Sequence, residues 1–326
     1  MDRLLEATAR AEHDHFWFRG FRKFVEPIIA DAADAARGRM EILDCGCGTG
    51  NNLALLGRYG RTTGIDLAWA GLRYAHAGGE RRLARATAAR LPFSAGTFDL
   101  ITSFDVLYSL DEEAERDAIA EMFRVLRPGG RLVVNVAALE ALRGNHSILS
   151  GEVRRYSRAD LKNRLERGGF SVQRITYTNF TILPLVVAVR LMQRVTGHVE
   201  SEKEIAIPPA PINLALSAVL GLEAAALRVV NMPIGSSILA CAVRDDGGIR
   251  RRTEEDAGRR RNTEATDPQN EATEGTNSRA RAELPGGAGQ PCVPRPASEV
   301  PEAGPLPREA RRGTHGFPCS TLAALA

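Results

Sequence analysis

Ile42-Leu43-Asp44-Cys45-Gly46-Cys47-Gly48-Thr49-Gly50-Asn51-Asn52 is the stretch that decides the fold. An apolar strand pattern, Met40–Cys45, runs into a turn with glycine at 46, 48 and 50, and a helical pattern follows over Asn52–Tyr59. Glycines in such a turn permit positive φ and let a ligand approach the backbone closely. Working outward, strand patterns recur at Thr62–Asp66, Arg82–Ala86, Phe98–Ser103, Arg131–Val136, Ser171–Tyr177 and Ser237–Val243. Helical patterns fall between them at Ala68–Ala77, Glu113–Leu126 and Arg158–Arg167, with Gly60, Gly78-Gly79, Pro128-Gly129-Gly130 and Gly168-Gly169 as stop signals. Strands alternating with helices predict an α/β domain with a doubly wound, mostly parallel sheet. The last two strands lie beyond that alternation and predict an antiparallel edge.

The turn limits the ligand. A dinucleotide fingerprint needs glycine where this chain has Asn51, and a pyrophosphate wants a free helix N-terminus. S-adenosylmethionine (SAM) carries no phosphate. Its carboxylate and amine need backbone groups and a nearby acid, and Asp44 can serve the amine. Further along, Thr63-Gly64-Ile65-Asp66-Leu67 puts an acid at the end of the second strand, where a carboxylate can accept both ribose hydroxyls. The plainer reading of Asp66 is a cap on the next helix.

Several further motifs follow in order: Ala89-Arg90-Leu91-Pro92-Phe93, Thr97-Phe98-Asp99-Leu100-Ile101 and Val125-Leu126-Arg127-Pro128-Gly129-Gly130-Arg131-Leu132. Together with Asp44-x-Gly-x-Gly-x-Gly and Gly64-Ile65-Asp66, this series over about residues 40 to 136 resembles the type-11 group of class I SAM-dependent methyltransferases. The resemblance implies a Rossmann-like seven-stranded sheet with SAM as cofactor. By motif position, Asp44, Gly46, Cys47 and Gly48 line the methionine part, and Asp66 with Leu67 the ribose side. Where the family often has an acid for the adenine amino group, this chain has Thr87 with Ala88 beside it.

The resemblance also implies that residues after the fourth strand face the methyl group, namely Ser103, Phe104 and Asp105. Methyl transfer from a sulfonium is an in-line displacement, so positioning dominates and a base is needed only if the acceptor must lose a proton. Asp105, His146 and Tyr156 are the catalytic candidates, with Arg155 beside Tyr156 as an acceptor clamp. A subset of the family carries His-Asp where this chain has His146-Ser147, and a second His where it has Glu152. Ser109 stands where a His is frequent. These departures keep open a non-catalytic SAM-binding module as the alternative function, and less favourably a nicotinamide-dependent oxidoreductase. Glu12 through Arg22 resembles an N-terminal signature of the same subset, in which an aromatic helix lies near the cofactor. His13 and His15, two apart, do not share a helix face, and no zinc spacing occurs, so no metal is expected.

Composition bounds the rest. Of 326 residues, 44% are hydrophobic and 25% charged, and the net charge of +3 gives no reason to expect nucleic acid. The Asp/Asn-Pro-Pro-Tyr motif of nucleic-acid methyltransferases is missing after strand four. Three regions are expected: an aromatic cap over 1–38, a SAM domain over 39–244, and a tail over 245–326 too poor in large aliphatics to fold. A helical insert over about 178–235 precedes the last strand. It suits extra core helices, a lid over a small-molecule or lipid-linked acceptor, a dimer face or a peripheral membrane contact; neither of its apolar runs reads as a bilayer span. The N-terminus, with early acids and no uninterrupted apolar core, does not read as a signal peptide, so a cytoplasmic location is the expectation.

Overall fold

The computed structural model describes residues 8–36, 38–144, 151–196 and 207–245; the 245–326 tail lies almost wholly outside them, as does His146. Seven strands form one sheet: β1 (Met40–Cys45), β2 (Gly60–Asp66), β3 (Leu83–Arg85), β4 (Phe98–Phe104), β5 (Leu126–Ala137), β6 (Phe170–Thr178) and β7 (Ser237–Arg244). Their order is β3-β2-β1-β4-β5-β7-β6. The sheet is mostly parallel, as expected. β7 runs antiparallel next to the end of the sheet, between β5 and β6. The chain leaves β1 for β2 on one side and reaches β4 on the other, so the switch point, where open α/β sheets bind ligands, lies at the glycine turn.

Seven helices of at least six residues are described: α1 (Phe16–Ala35), α2 (Asn51–Leu56), α3 (Trp69–Ala77), α4 (Glu112–Val125), α5 (Arg158–Arg167), α6 (Leu183–Thr196) and α7 (Ala210–Leu227). They cover both faces of the sheet. Leu43, Ile101, Leu132 and Ala240 point to the face covered by α4 and α5, and Ile42, Leu100, Val133 and Leu239 to the face covered by α1, α2, α6 and α7. This period of two, with apolar residues on both sides, is what a sheet buried between helix layers requires. α4 forms because Ala118, Ile119, Met122 and Val125 make one apolar stripe, Asp111 caps it by accepting from Ala114 N (2.8 Å), and Glu112, Glu113 and Glu115 favour its N-terminus.

Two boundaries differ from the sequence reading. The helix after the glycine turn stops at Leu56, with Tyr59 outside it. β5 begins at Leu126 instead of Arg131, because Leu126 pairs with Phe98 across an irregularity in the β4 register. Pro128-Gly129-Gly130 thus lies inside the strand segment, and α4 ends just before it.

The insert supplies α6 and α7. α7 packs along α1, where Leu220 fills the notch left by Gly20: a β-carbon at Gly20 would stand 2.4 Å from Leu220 Cδ1.

Candidate cofactor and acceptor site

The glycine turn has the backbone its sequence requires. Gly46, Gly48 and Gly50 have φ of 83°, 51° and 87°. At Gly50 a β-carbon would also meet Ala75 Cβ at 2.7 Å, so the turn is pressed against α3. The N–H groups of Gly46 and Cys47 donate to Ile65 O at 2.8 and 2.9 Å, tying the turn to the end of β2.

Asp66 completes that tie. It is 2% exposed; Oδ2 accepts from Gly48 N (2.8 Å) and Oδ1 from Ala68 N (2.7 Å). The second bond is an Asx turn, and the N-cap position of α3 is Ala68. Asp66 is therefore not the helix cap of the plainer reading: its carboxylate joins the two ligand-side loops. A carboxylate has about four acceptor sites, so these contacts still leave capacity for hydroxyl donors. Leu67 beside it is partly exposed.

Asp44 is buried at the end of β1. Its Oδ1 accepts from Thr102 Oγ1 at 2.6 Å, and its Oδ2 is buried without a hydrogen-bond partner. Burial, and secondarily the nearby Asp66, push its pKa up to about 7 despite the Thr102 bond. A buried carboxylate oxygen without a donor is expensive. It fits a cationic group brought by a ligand, as the amine of SAM would be. Cys47, between the two glycines, is buried and its thiol is pushed up by burial, which leaves it inert.

On the adenine side, Thr87 Oγ1 accepts from Ala89 N (3.2 Å) and Ala88 is buried. The loop after them is pinned by α4. Arg124 donates to Leu91 O and Phe93 O, and Glu121 accepts from Leu91 N.

A cleft opens at the other side of the turn. Its wall includes Glu12, Phe18 and Phe21 from the N-terminal region and Gly46, Phe104 and Asp105 from the sheet end. Phe21 meets Phe104 edge to face at 4.9 Å. Glu12 reaches across to Thr49 Oγ1 (2.5 Å), and Asn51 Nδ2 donates to the Glu12 carbonyl (3.4 Å). The N-terminal segment thus both packs on the core and covers the turn. His15 is buried and caps α1, accepting from Trp17 N at 3.2 Å; burial lowers its pKa to about 4, so it is neutral. Among the described residues no group of three or more metal-ligating side chains is gathered.

Asp105 lines the cleft with φ of 61°, a left-handed backbone that Asp tolerates better than most residues. Asn135 Nδ2 donates to its Oδ1 (2.9 Å), and the Asn135 carbonyl accepts from Asp105 N (2.9 Å). Desolvation raises its pKa to about 7. Ser103, one step back in β4, is fully buried with an unpartnered Oγ and is not among the cleft-lining residues.

Tyr156 lies away from the cleft. It is 2% exposed and its hydroxyl donates to Glu115 Oε1 at 2.7 Å, beneath α4. Glu115 also pairs with Arg154, and with Arg164 at 2.7 Å. A hydroxyl so placed is held by a structural ion-pair cluster and does not line the cleft. Arg155 is no open clamp either, since Glu152 engages it through Nε (2.5 Å) and Nη2 (3.1 Å).

The sequence reading missed Thr49, Thr102 and Asn135. The last two carried a signal, as polar residues within the apolar strands Leu100-Ile101-Thr102 and Val133-Val134-Asn135-Val136.

Comparison with known proteins agrees with this geometry. Residues 43–134 match the family described as "Methyltransferase domain". A protein of Mycolicibacterium smegmatis named "Probable S-adenosylmethionine-dependent methyltransferase" is 29% identical over 164 residues, 49% of this chain and 61% of that protein. The ubiquinone/menaquinone biosynthesis C-methyltransferase UbiE of Desulfotalea psychrophila is 36% identical over 138 residues, covering 40% and 51%. The demethylmenaquinone methyltransferase of Lactiplantibacillus plantarum is 35% identical over 143 residues, covering 40% and 55%. The chain thus spans about half to three fifths of the length of these relatives. Residues 43–134 are thus similar to a methyltransferase domain, and a relative named as a probable S-adenosylmethionine-dependent methyltransferase shares it.

Proposed function

We propose that the chain transfers a methyl group from SAM to a small apolar acceptor. The observation that carries this reading is the aromatic wall, Trp17, Phe18, Phe21 and Phe104, facing the glycine turn with Asp105 at its edge. Asp44 would hold the amine, with Gly46, Cys47 and Gly48 lining the methionine part, Asp66 and Leu67 the ribose, and Thr87 and Ala88 the adenine. SAM supplies an electrophilic methyl group on a sulfonium.

The protein's own contribution is placement and exclusion of water. Phe18, Phe21 and Phe104 present ring surface to a flat acceptor. Asp105, held by Asn135, takes the proton from the acceptor atom at its carboxylate oxygen; its pKa near 7 suits a base at neutral pH. The relatives whose names concern ubiquinone and menaquinone support a ring-bearing, lipid-linked acceptor. His146 stands as a second proposed base, on a segment outside the described residues.

Incubation with methyl-labelled SAM and cell extract, followed by solvent partition, tests this. Label should enter a small organic-soluble product, and Asp105→Asn should slow its appearance by about 100-fold or more while SAM still binds. Binding of SAM without labelling of any product would make the chain a cofactor-binding module. Label confined to the aqueous phase would remove the apolar acceptor.

A further inference from the structure

We infer that the outer face of α7 lies on an anionic lipid bilayer, a role beyond the transfer reaction itself. α7 is apolar on both sides: Leu220, Ala224 and Leu227 pack inward, yet large apolar residues also face outward. Its buried face also holds its polar groups, Asn213, Ser217 and Glu223, while its exposed face is built from Ile212, Leu214, Ala215, Ala218, Leu222 and Ala225. Leu214 and Leu222 are 65% and 73% exposed. Beyond its C-terminus Val229 is 84% exposed. A contiguous apolar face of this kind marks an interaction surface.

Length and composition alone would allow α7 to cross a membrane: it has 18 residues and a mean hydropathy of 1.6. The inner contacts decide against that. Glu223 accepts from Phe180 N, Thr181 N and Thr181 Oγ1 at 2.6–3.0 Å, so the one charge in the helix is committed to the start of the insert. Asn213 accepts from Phe16 N and donates to Asp14 O, both at 2.8 Å, fixing the start of α7 to α1. A helix held along one side by the protein core can only present its other side, which is the interfacial arrangement.

Charge selects the occupant. No acid is exposed on α7, whereas Lys23 Nζ stands 3.0 Å from where a Gly221 β-carbon would be, and the exposed Arg228 follows at the C-terminus. Cations beside an apolar strip complement an anionic lipid surface and would oppose each other across a pair of identical faces. α1 links this face to the proposed reaction, since Phe18 and Phe21 line the cleft while Gly20 receives Leu220.

Co-sedimentation of the full chain with phosphatidylcholine vesicles, with and without phosphatidylglycerol, tests the inference. The protein should pellet with the anionic vesicles. The exposed double substitution Leu214→Glu/Leu222→Glu should weaken that binding by more than about tenfold. Lys23→Gln/Arg228→Gln should also weaken it, by about tenfold. The melting temperature and SAM affinity of both variants should match the parent. Three results would overturn the inference: the parent staying in the supernatant, Leu214→Glu/Leu222→Glu pelleting as the parent does, or a lipid-free dimer that this substitution dissolves.

Discussion

Asp44 is the residue on which the proposed cofactor site turns. Its Oδ1 is satisfied by Thr102, its Oδ2 is buried and unpartnered, and its pKa is raised to about 7. The sign of the resulting pH dependence follows from linkage. A carboxyl of pKa 3.8 when unfolded and about 7 when folded holds more protons in the native state between those values. This group's contribution to stability is therefore present below the unfolded value and is lost as pH rises toward 7. A cationic ligand reverses the preference, because it binds the ionised form. SAM affinity should rise between pH 6 and 8, and Asp44→Asn should flatten that rise and weaken binding at pH 8 by about tenfold or more. Calorimetric titration across that range checks both; an Asn variant with unchanged affinity and pH profile would show that Asp44 does not meet the amine. Asp44, Asp66 and the three glycines were legible in sequence because their constraint is local: a strand end, a turn, an acid at fixed spacing. The pairing of Asn135 with Asp105 was not, because the two are 30 residues apart and only the β4–β5 pairing brings them together.

At the scale of elements, α4 and α5 explain why Tyr156 is buried away from the cleft. Tyr156 follows β5 on the ligand side in sequence, but its side chain turns beneath the sheet toward Glu115 on the first turn of α4. There Glu115 is shared with Arg154 and Arg164, a partnership spanning 39 to 49 residues that no local pattern announces. Tyr156→Phe should therefore lower stability by about 1–3 kcal/mol, by removing a donor from a buried carboxylate, and leave kcat within about twofold. Urea unfolding and turnover, measured on the same preparation, separate the two effects. A loss of turnover with unchanged stability would return Tyr156 to the acceptor site. Helix and strand positions were otherwise legible from periodicity and glycine stops. The start of β5 was not, since it depends on Leu126 pairing with Phe98 across the sheet.

Across the whole molecule, the seven-strand order places one loop cluster at the switch point and covers it from outside the α/β unit. Glu12 on Thr49 and Phe21 on Phe104 close the N-terminal segment over the turn, and α7 braces α1 from behind. The sequence foretold an aromatic segment and an apolar insert; that the two pack on each other rests on Gly20 matching Leu220, a pairing 200 residues apart in the chain. The proposed transfer depends on the glycine turn and the carboxylates of β1 and β2 forming one cofactor site. Calorimetric titration of SAM into the full chain and into its Asp66→Asn variant tests that most directly. The parent should bind with measurable heat, and the variant, still folded by its melting curve, should bind about 10- to 100-fold more weakly, as loss of charge-assisted hydrogen bonds to two hydroxyls requires. A parent that gives no heat with SAM, or a variant that binds as tightly as the parent, would contradict it.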